Sequence, residues 1–281
     1  MRTFVSAVAT LLAILLAAVA VPAIWLDRNI VQEQGFVELA APLGTNSEFQ
    51  RGLATAAVGT IDTSAVPGFL EDLVRPALED AAASMTGLPG YPAAWEETLR
   101  RSHRLSFAAP EATGGESASS LTLDVAPLVA LGAEEISRTT RLPLDPPDQT
   151  LINVGQTEQK QWTERLSSFA PAGYLLAGGA GVALLLALVA ARRRWTVLVG
   201  AGIGALLLSA VWTFGSQLAS AAVLARDSGS EVANMFRDGF AAAASADFQG
   251  WTLAAAITGG ALLVVGIVAG FIPRKRAQAT R

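Results

Sequence analysis

The chain contains no cysteine and a single histidine, His103, among its 281 residues. Without cysteine it cannot form a disulfide bond, an iron–sulfur cluster or a cysteine-ligated zinc site. One histidine also excludes a metal site built from several imidazoles. Charged residues are scarce too, because they make up 16% of the chain against roughly 25% in soluble domains. A large part of the chain is therefore predicted to lie in lipid.

Apolar residues take the place of the missing charge and account for 52% of the chain. Four runs without Asp, Glu, Lys, Arg or His reach the length of about 20 residues that a helix needs to cross the hydrocarbon core. The transmembrane helices predicted from these runs occupy residues 1–25, 171–191, 195–217 and 251–273. The lipid bilayer is thus the first predicted partner.

The first span has two interpretations. Ala18-Val19-Ala20 is a weak A-x-A cleavage site, so the span could be a signal peptide that is removed. The apolar run continues past this site to Trp25, which is long for a signal peptide. We therefore favour an uncleaved signal anchor.

The distribution of charge predicts the orientation of the spans. The turn at residues 192–194 and the tail at residues 274–281 carry basic residues and no acidic ones, as does the N-terminus with Arg2. All 24 Asp and Glu residues lie in residues 26–170 and 218–250. Because short basic loops stay in the cytoplasm, both termini and the basic turn are predicted to be cytoplasmic. The two acidic segments are then outside.

Residues 26–170 have the sequence pattern of a mostly helical domain. Thr45 and Glu48 have capping-box spacing at the start of one helix, and apolar residues from Phe69 to Leu78 recur at helical spacing. Short alternating segments at residues 121–125 and 150–154 predict two strands, which we expect to pair. The predicted fold is mainly α: a four-transmembrane-helix bundle with a large, mostly helical extracytoplasmic domain between spans 1 and 2.

Residues 218–250 are predicted to contain a separate amphipathic helix. Ser228 and Glu231 have capping-box spacing, and the apolar residues Met235, Phe236 and Phe240 follow on one face. Such a helix could lie on the membrane surface or pack under the larger domain. Its acidic balance disfavours anionic lipid, so we favour packing.

Several short motifs resemble a known family. They are Phe36-Val37-Glu38-Leu39-Ala40-Ala41-Pro42-Leu43, the segment from Trp95 to His103, and Leu123-Asp124-Val125-Ala126-Pro127-Leu128. The chain resembles four-span integral membrane proteins of high-GC Gram-positive bacteria, which implies a bacterial cytoplasmic membrane. The family has no established activity, so the resemblance implies no catalytic site. The chain departs from the pattern after the histidine, where Phe107 soon meets Pro110.

Two residues are the candidates for chemistry in the predicted outer domain. His103 is the one side chain whose unperturbed pKa suits acid–base work near neutral pH, and Ser102 precedes it. Neighbours on a helix point about 100° apart, so we favour a packing or hydrogen-bonding role for His103. Asp124 follows an apolar strand, but it is also placed to cap a helix that starts at Ala126. No catalytic residue, metal site or cofactor is predicted.

Acidic pairs could supply the two carboxylates of a hydrolase, but their position on amphipathic helices favours solvated faces. The pairs are Glu71/Asp72, Glu79/Asp80, Glu96/Glu97 and Glu134/Glu135.

Small residues are predicted to pack the spans together. Gly200 with Gly204, and Gly266 with Gly270, have G-x-x-x-G spacing, and Ala177 with Gly181 is a related pair. Such faces allow two helices to approach closely within one chain or between chains. We favour packing within the chain over a homo-oligomer.

Three classes of function remain open. The favoured one is an envelope interaction or accessory/scaffold protein that acts through its extracytoplasmic domain on another membrane or envelope protein. The alternatives are a transporter or carrier of lipid-like substrates and an extracytoplasmic enzyme that uses carboxylates. Nucleic acid is not predicted as a partner, because the basic residues occupy short segments only.

Overall fold

The computed structural model describes residues 1–59, 84–107, 122–140, 145–153, 165, 168–225 and 231–271. The predicted segments from Phe69 to Leu78 and around Ser228 lie outside these residues. The described chain is mainly helical with one two-stranded sheet, as predicted.

The helices and strands run in the following order. The helices are α1 (Arg2–Leu26), α2 (Glu33–Ala40), α3 (Ser47–Gly59), α4 (Tyr91–Phe107), α5 (Ala126–Thr140), α6 (Ala172–Ala190), α7 (Arg194–Leu224) and α8 (Glu231–Phe271). A π-helical segment, Asp27–Val31, joins α1 to α2, and 3-10 turns occur at Ala41–Thr45 and Met85–Gly87. The strands β1 (Thr122–Asp124) and β2 (Leu151–Asn153) flank α5 in sequence.

The chain divides into two compact units. The first, here called the apolar unit, comprises Met1–Trp25, Phe169–Ala219 and Ser245–Arg281. The second, here called the acidic unit, comprises Leu26–Ser168 and Ser220–Ala244 and contains 23 of the 24 acidic residues. Both units are therefore assembled from segments that are distant in sequence.

Within the described residues, four helical stretches are long and apolar enough to cross a membrane. They are Arg2–Val31, Ala172–Ala190, Arg194–Leu224 and Ala233–Phe271. The prediction of four membrane-length helices is confirmed. The third and fourth helices are longer than the apolar runs that identified them.

The amphipathic segment and the fourth span form one helix, α8, rather than two. The predicted boundary at residue 251 is crossed without a break for 41 residues. The stretch from Ala241 to Asp247 is rich in alanine, the best helix former, and Gly250 lies at the boundary itself. A single glycine inside a helix costs only about 1 kcal/mol relative to alanine, so the helix continues through the position where the hydropathy changes.

Glycines set the closest helix contacts in the apolar unit. A Cβ atom on Gly202 of α7 would lie 2.7 Å from the carbonyl oxygen of Gly259 on α8, and one on Gly266 would lie 2.9 Å from the backbone nitrogen of Val199. A Cβ atom on Gly204 would lie 2.4 Å from Ile14 of α1. Side chains at Gly202 and Gly266 would force α7 and α8 apart, because their Cβ atoms would meet backbone; at Gly204 the Ile14 side chain would have to move.

The other predicted small residues have looser surroundings. Gly270 lies against the indole of Trp195, with its Cβ position 3.2 Å from the ring, and the Cβ position of Gly200 is 3.6 Å from Thr10. Gly181 has no described neighbour within 4 Å of its Cβ position. The closest approach of backbone to backbone between α7 and α8, Gly202 against Gly259, belongs to neither predicted motif.

Hydrogen bonds from α1 supplement this packing. The Ser6 hydroxyl donates to the carbonyl of Ala187 on α6 over 3.0 Å, and the Trp212 indole on α7 donates to the carbonyl of Ala18 over 3.1 Å. At its other end, the indole of Trp25 donates to the carboxylate of Asp247 on α8 over 2.6 Å. Thus α1 forms hydrogen bonds with three other helices of the apolar unit.

The acidic unit has one hydrophobic core, to which α8 contributes three partly buried side chains. Phe236 and Phe240 stack on each other, and their rings lie 6.0 and 5.3 Å from Phe49 and Phe36 respectively. Met235 packs against the same cluster. Of the two interpretations of the amphipathic segment, the structure therefore shows packing. The buried core residues are Val37, Ala40, Leu43, Phe49, Leu53, Tyr91, Trp95, Leu99, Leu123, Val125, Leu128 and Ile152.

The start of α3 differs from the predicted capping box. The Asn46 side chain accepts hydrogen bonds from the backbone nitrogens of Glu48 and Phe49, each over 3.0 Å, and is therefore the N-cap. Thr45 instead donates its hydroxyl to the carbonyl of Pro42 over 2.8 Å. The prediction that Thr45 caps this helix is wrong by one residue, because the preceding 3-10 turn engages the Thr45 hydroxyl.

The two strands pair as predicted. They are antiparallel, with Leu123 opposite Ile152, and both of these side chains are buried in the core. One strand precedes α5 and the other follows it. The pairing therefore holds the two ends of the segment that contains α5 next to each other.

We expect Gly202→Ala to destabilise the apolar unit by about 1–3 kcal/mol through overpacking. Gly181→Ala is the matched control, because its Cβ atom meets no described neighbour and both changes bring the same gain in helix propensity. Thermal unfolding in detergent is the measurement. Equal Tm values for the two variants would contradict the close crossing of α7 and α8.

We expect Phe236→Ala to destabilise the acidic unit by about 2 kcal/mol, less than a fully buried phenylalanine because Phe236 is partly exposed. Phe214→Ala on α7 is the control, since that side chain is 67% exposed. Limited proteolysis of the detergent-solubilised protein should cleave the acidic unit faster in the first variant only. Equal protection of both variants would show that α8 does not complete this core.

Candidate functional site

Helix α4 carries the single histidine on a face that is buried in the acidic unit. His103 is 5% exposed, and its Nε2 atom lies 3.0 Å from the carbonyl oxygen of Ile30. Because a carbonyl only accepts hydrogen bonds, Nε2 carries the proton and donates it. Ile30 belongs to the π-helical segment, so this bond joins α4 to an irregular turn of the backbone.

Aromatic rings enclose the imidazole on two sides. The ring of Phe107 stacks on His103 with a centroid distance of 4.4 Å, and Phe36 of α2 lies at 5.1 Å in a tilted arrangement. The backbone near Phe36 is also tightly packed, because a Cβ atom on Gly35 would overlap the carbonyl oxygen of Arg28. The π-helical segment therefore approaches α2 closely at a position that requires glycine.

The electrostatic surroundings act on His103 in opposite directions. Burial lowers the pKa of His103, and this is the largest effect, while the carbonyls of Ile30 and Val31 and the carboxylate of Glu33 oppose it. Arg104 lies 3.8 Å from Glu33 and partly neutralises it. The net result is a lowered pKa, which keeps the imidazole neutral at pH 7.

Asp124, the second predicted candidate, is 2% exposed and forms hydrogen bonds with three separate segments of the acidic unit. Its Oδ1 atom accepts from the nitrogen of Ala126 over 3.1 Å, at the start of α5, and from the nitrogen of Thr150 over 3.0 Å, just before β2. The nitrogen of Asp124 donates to the Ser102 hydroxyl over 2.9 Å. The carboxylate thus has the geometry of a helix cap.

The structure brings Ser102 and Asp124 together but directs His103 elsewhere. The Ser102 hydroxyl donates to the carbonyl of Thr98 over 2.6 Å, so its proton is engaged by its own helix. His103, one position along α4, faces the π-helical segment instead. A serine nucleophile needs its base within hydrogen-bond reach, and these three residues do not form such an arrangement.

The described acidic pairs form ion pairs with arginines one or two turns away on the same helix. Glu96 and Glu97 form ion pairs with Arg100, Arg101 and Arg104 at 2.9–3.3 Å. Glu134 and Glu135 both pair with Arg138. The other two pairs lie outside the described residues. Among the described residues, no three His, Asp or Glu side chains converge as a metal site would require.

One feature of α4 is not evident from the sequence motifs. Tyr91, Trp95 and Thr98 are all buried, and within the described chain no protein atom accepts a hydrogen bond from their polar side-chain atoms. Burial also raises the pKa of the Tyr91 hydroxyl far above its ordinary value. The spacing of these residues puts them on one helical face, but apolar periodicity alone suggests that all three serve only as core.

Comparison with known proteins adds no identity. No family model, curated protein or solved structure matches this chain. The assignment of a role therefore depends on the geometry and charge of the chain itself.

We expect the protein to lose stability as the pH falls through about 6.5, the pKa of histidine in an unfolded chain. Because burial lowers the pKa of His103, the unfolded chain binds this proton more tightly than the folded chain, so acid favours unfolding. In His103→Gln the side-chain amide can donate to Ile30 but does not titrate. The difference in Tm between pH 7.5 and 5.5 should therefore be smaller in the variant. The same difference in both proteins would exclude His103 as the responsible group.

Proposed function

We propose that the protein is a multi-pass protein of a bacterial cytoplasmic membrane that acts as an accessory or scaffold subunit. In this proposal the acidic unit lies outside the cell and binds another membrane or envelope protein. The observation that carries the proposal is the composition of α8. Its N-terminal half supplies Met235, Phe236 and Phe240 to the core of the acidic unit, and its C-terminal half is a membrane-length apolar helix.

In this continuous helix, the segment that anchors the chain also supplies side chains to the core of the acidic unit. A domain that needs only tethering can be joined to its anchor by a flexible linker. Here the anchoring helix is part of the core, so removing it would expose apolar surface. Such construction favours a role in presenting or supporting a binding surface.

The charge of the two units supports the proposed orientation. The acidic unit contains 23 acidic and 12 basic residues, a net charge of −11, and the apolar unit contains one acidic and eight basic residues, a net charge of +7. Together these give the net −4 of the whole chain. Arg2, the turn at residues 192–194 and the tail at residues 274–281 supply the positive charge, as the positive-inside rule expects of cytoplasmic segments.

The roles of the described polar side chains also favour binding over catalysis. Asp124 caps a helix, Ser102 bonds to its own helix and to a strand, and His103 bonds to a backbone carbonyl. Each of these groups stabilises the acidic unit, which is a sufficient reason for its presence. We also propose that the chain belongs to the four-span membrane proteins of high-GC Gram-positive bacteria. This proposal is based on the motifs from Phe36 to Leu43 and from Leu123 to Leu128.

The absence of cysteine allows a direct test of orientation. Single cysteines replace two exposed residues, Asp145→Cys in the acidic unit and Arg193→Cys in the basic turn. A membrane-impermeant maleimide applied to wall-stripped intact cells should label the first and not the second, with the cysteine-free chain as the blank. Labelling of Arg193→Cys alone would reverse the proposed topology.

The partner is tested by placing a photo-cross-linking amino acid at two exposed positions. One is Glu134 of the acidic unit, whose side chain is 70% exposed, and the other is Leu185 of α6, which is 63% exposed. A discrete protein cross-link from position 134 and mainly lipid from position 185 would support the proposal. Only lipid from both positions would contradict it and favour lipid handling.

Lipid handling is the second candidate because α7 is longer than a bilayer requires. Its 31 residues measure roughly 46 Å along the axis, against a hydrocarbon core of roughly 30 Å. The last turns expose Leu218, Val223 and Leu224 at 72, 43 and 46%. This helix therefore offers apolar surface over more than the thickness of the hydrocarbon.

A further inference from the structure

The first membrane-length helix ends in a π-helical turn. The stretch Arg2–Val31 is α-helical up to Leu26 and π-helical over Asp27–Val31. The turn closes where the backbone nitrogen of Gln32 donates to the carbonyl of Asp27 over 2.9 Å, a hydrogen bond that spans five residues. Single π-helical turns are rare and occur often at functional sites. This turn is therefore a candidate for a functional role.

Residues outside this helix hold the turn in place. The last carbonyls of a helix have no partner within it. Here the carbonyl of Ile30 accepts a hydrogen bond from Nε2 of His103 over 3.0 Å. The carbonyl of Arg28 lies so close to α2 that a Cβ atom on Gly35 would overlap it. His103 therefore caps the carboxyl end of the helix from α4.

The cap lies in surroundings that suit a neutral ring. His103 is buried, with the ring of Phe107 stacked at 4.4 Å and that of Phe36 at 5.1 Å. A neutral imidazole needs only its Nε2 acceptor here, whereas a protonated imidazole would carry a charge with little access to water. Protonation therefore opposes the packing that keeps the cap in position.

Among the described residues, Glu33 supplies the charge that acts on the imidazole. It favours the protonated ring, and Arg104, 3.8 Å from Glu33, partly neutralises it. The other charged side chains of the π-helical segment, of α2 and of the part of α8 that contacts Phe36 are exposed or bond elsewhere: Arg28 is exposed, Asp27 accepts from Gln32, Glu38 accepts from Gln34, and Arg237 pairs with Asp238. Burial outweighs the charge of Glu33 and lowers the pKa of His103.

We propose that His103 is a pH-sensitive latch on the π-helical turn that ends the first membrane-length helix. With a neutral imidazole, the Nε2 proton is donated to the Ile30 carbonyl and the turn is closed. When Nδ1 takes up a proton from water, the charged ring leaves its place between Phe36 and Phe107, and the Ile30 carbonyl loses its cap. The turn is thus closed at neutral pH and opens increasingly in acid.

The size of the response follows from the uptake of one proton on opening. The imidazole of the open turn is in water and has the ordinary histidine pKa of about 6.5, whereas burial lowers the pKa in the closed turn. The open turn therefore binds the proton more tightly, and acid favours it. The ratio of open to closed turns rises by up to about tenfold per pH unit below about 6.5, until the pKa of the closed form is reached.

The latch has a use in the proposed orientation, in which the acidic unit lies outside the cell and meets external acid. This use rests on the proposed function, whereas the latch itself rests on contacts within the acidic unit. Experiments on the purified protein decide whether the latch exists. The maleimide labelling of cells decides the orientation separately.

Amide hydrogen exchange of the full-length protein in detergent measures opening of the turn. The reporter is the amide of Gln32, whose bond to Asp27 closes the turn, and the control is the amide of Val129, which bonds to Val125 in the same unit. Between pH 7.5 and 5.5, corrected for the intrinsic exchange rate, protection of Gln32 should fall by up to about tenfold. Protection of Val129 should stay constant. Unchanged protection of Gln32, or an equal fall at both amides, would overturn the latch.

Three variants separate titration of His103 from a merely structural role. His103→Gln should abolish the pH dependence at Gln32, because its amide donates to Ile30 without titrating. Glu33→Gln removes a charge that favours the protonated ring in the closed turn, so acid should open the turn more than in the wild type. Arg104→Gln leaves Glu33 without its partner, so acid should open the turn less. The same pH dependence in all of these proteins would contradict the proposal.

The single histidine allows its protonation to be followed in the wild-type protein, so the test does not depend on whether a variant folds. NMR of protein labelled in histidine should show one imidazole, neutral and protonated at Nε2 at pH 7.5. Charging of this ring over the same pH range in which Gln32 loses protection is the expected result. Charging without loss of protection, or loss of protection without charging, would show that the imidazole does not control the turn.

Discussion

The architecture depends on helix α8, which continues without a break through Gly250, where its amphipathic half meets its apolar half. A helix continues as long as its backbone hydrogen bonds are not interrupted, whatever the change in hydropathy along its side. Phe236 and Phe240 can therefore complete the core of the acidic unit while the same helix supplies a membrane-length segment. The core of the acidic unit therefore combines side chains from α2 with side chains from α8, which is the last described element.

Close backbone approach plays the corresponding role in the apolar unit. Apolar side chains gain little by leaving lipid for a protein interior, so contact between spans depends on packing and on hydrogen bonds. Gly202 and Gly259 allow α7 and α8 to touch, and Ser6 and Trp212 bond to carbonyls of neighbouring helices.

The polar residues of the acidic unit organise the backbone around α4. The Asp124 carboxylate accepts hydrogen bonds from the start of α5 and from the residue before β2. The Ser102 hydroxyl accepts from the nitrogen of Asp124, and His103 donates to a carbonyl of the π-helical segment. Within the described residues, the buried side-chain polar atoms without a protein hydrogen-bond partner belong to Tyr91, Trp95, Thr98 and Arg237.

The sequence by itself determined the features that depend on local composition: four membrane-length helices, a mainly helical acidic domain, and two short strands with alternating patterns. It also indicated the capping geometry of Asp124, because a cap needs only the residues next to it. Only the tertiary structure decided that α8 is continuous, that Gly202 meets Gly259, that Asn46 replaces Thr45 as a cap, and that Ser102 faces Asp124 while His103 does not. The physical reason is that these outcomes depend on atoms distant in sequence, or on competition between neighbouring turns for the same hydrogen bonds. Neither contacts between distant residues nor this competition for hydrogen bonds can be predicted from periodicity and residue type.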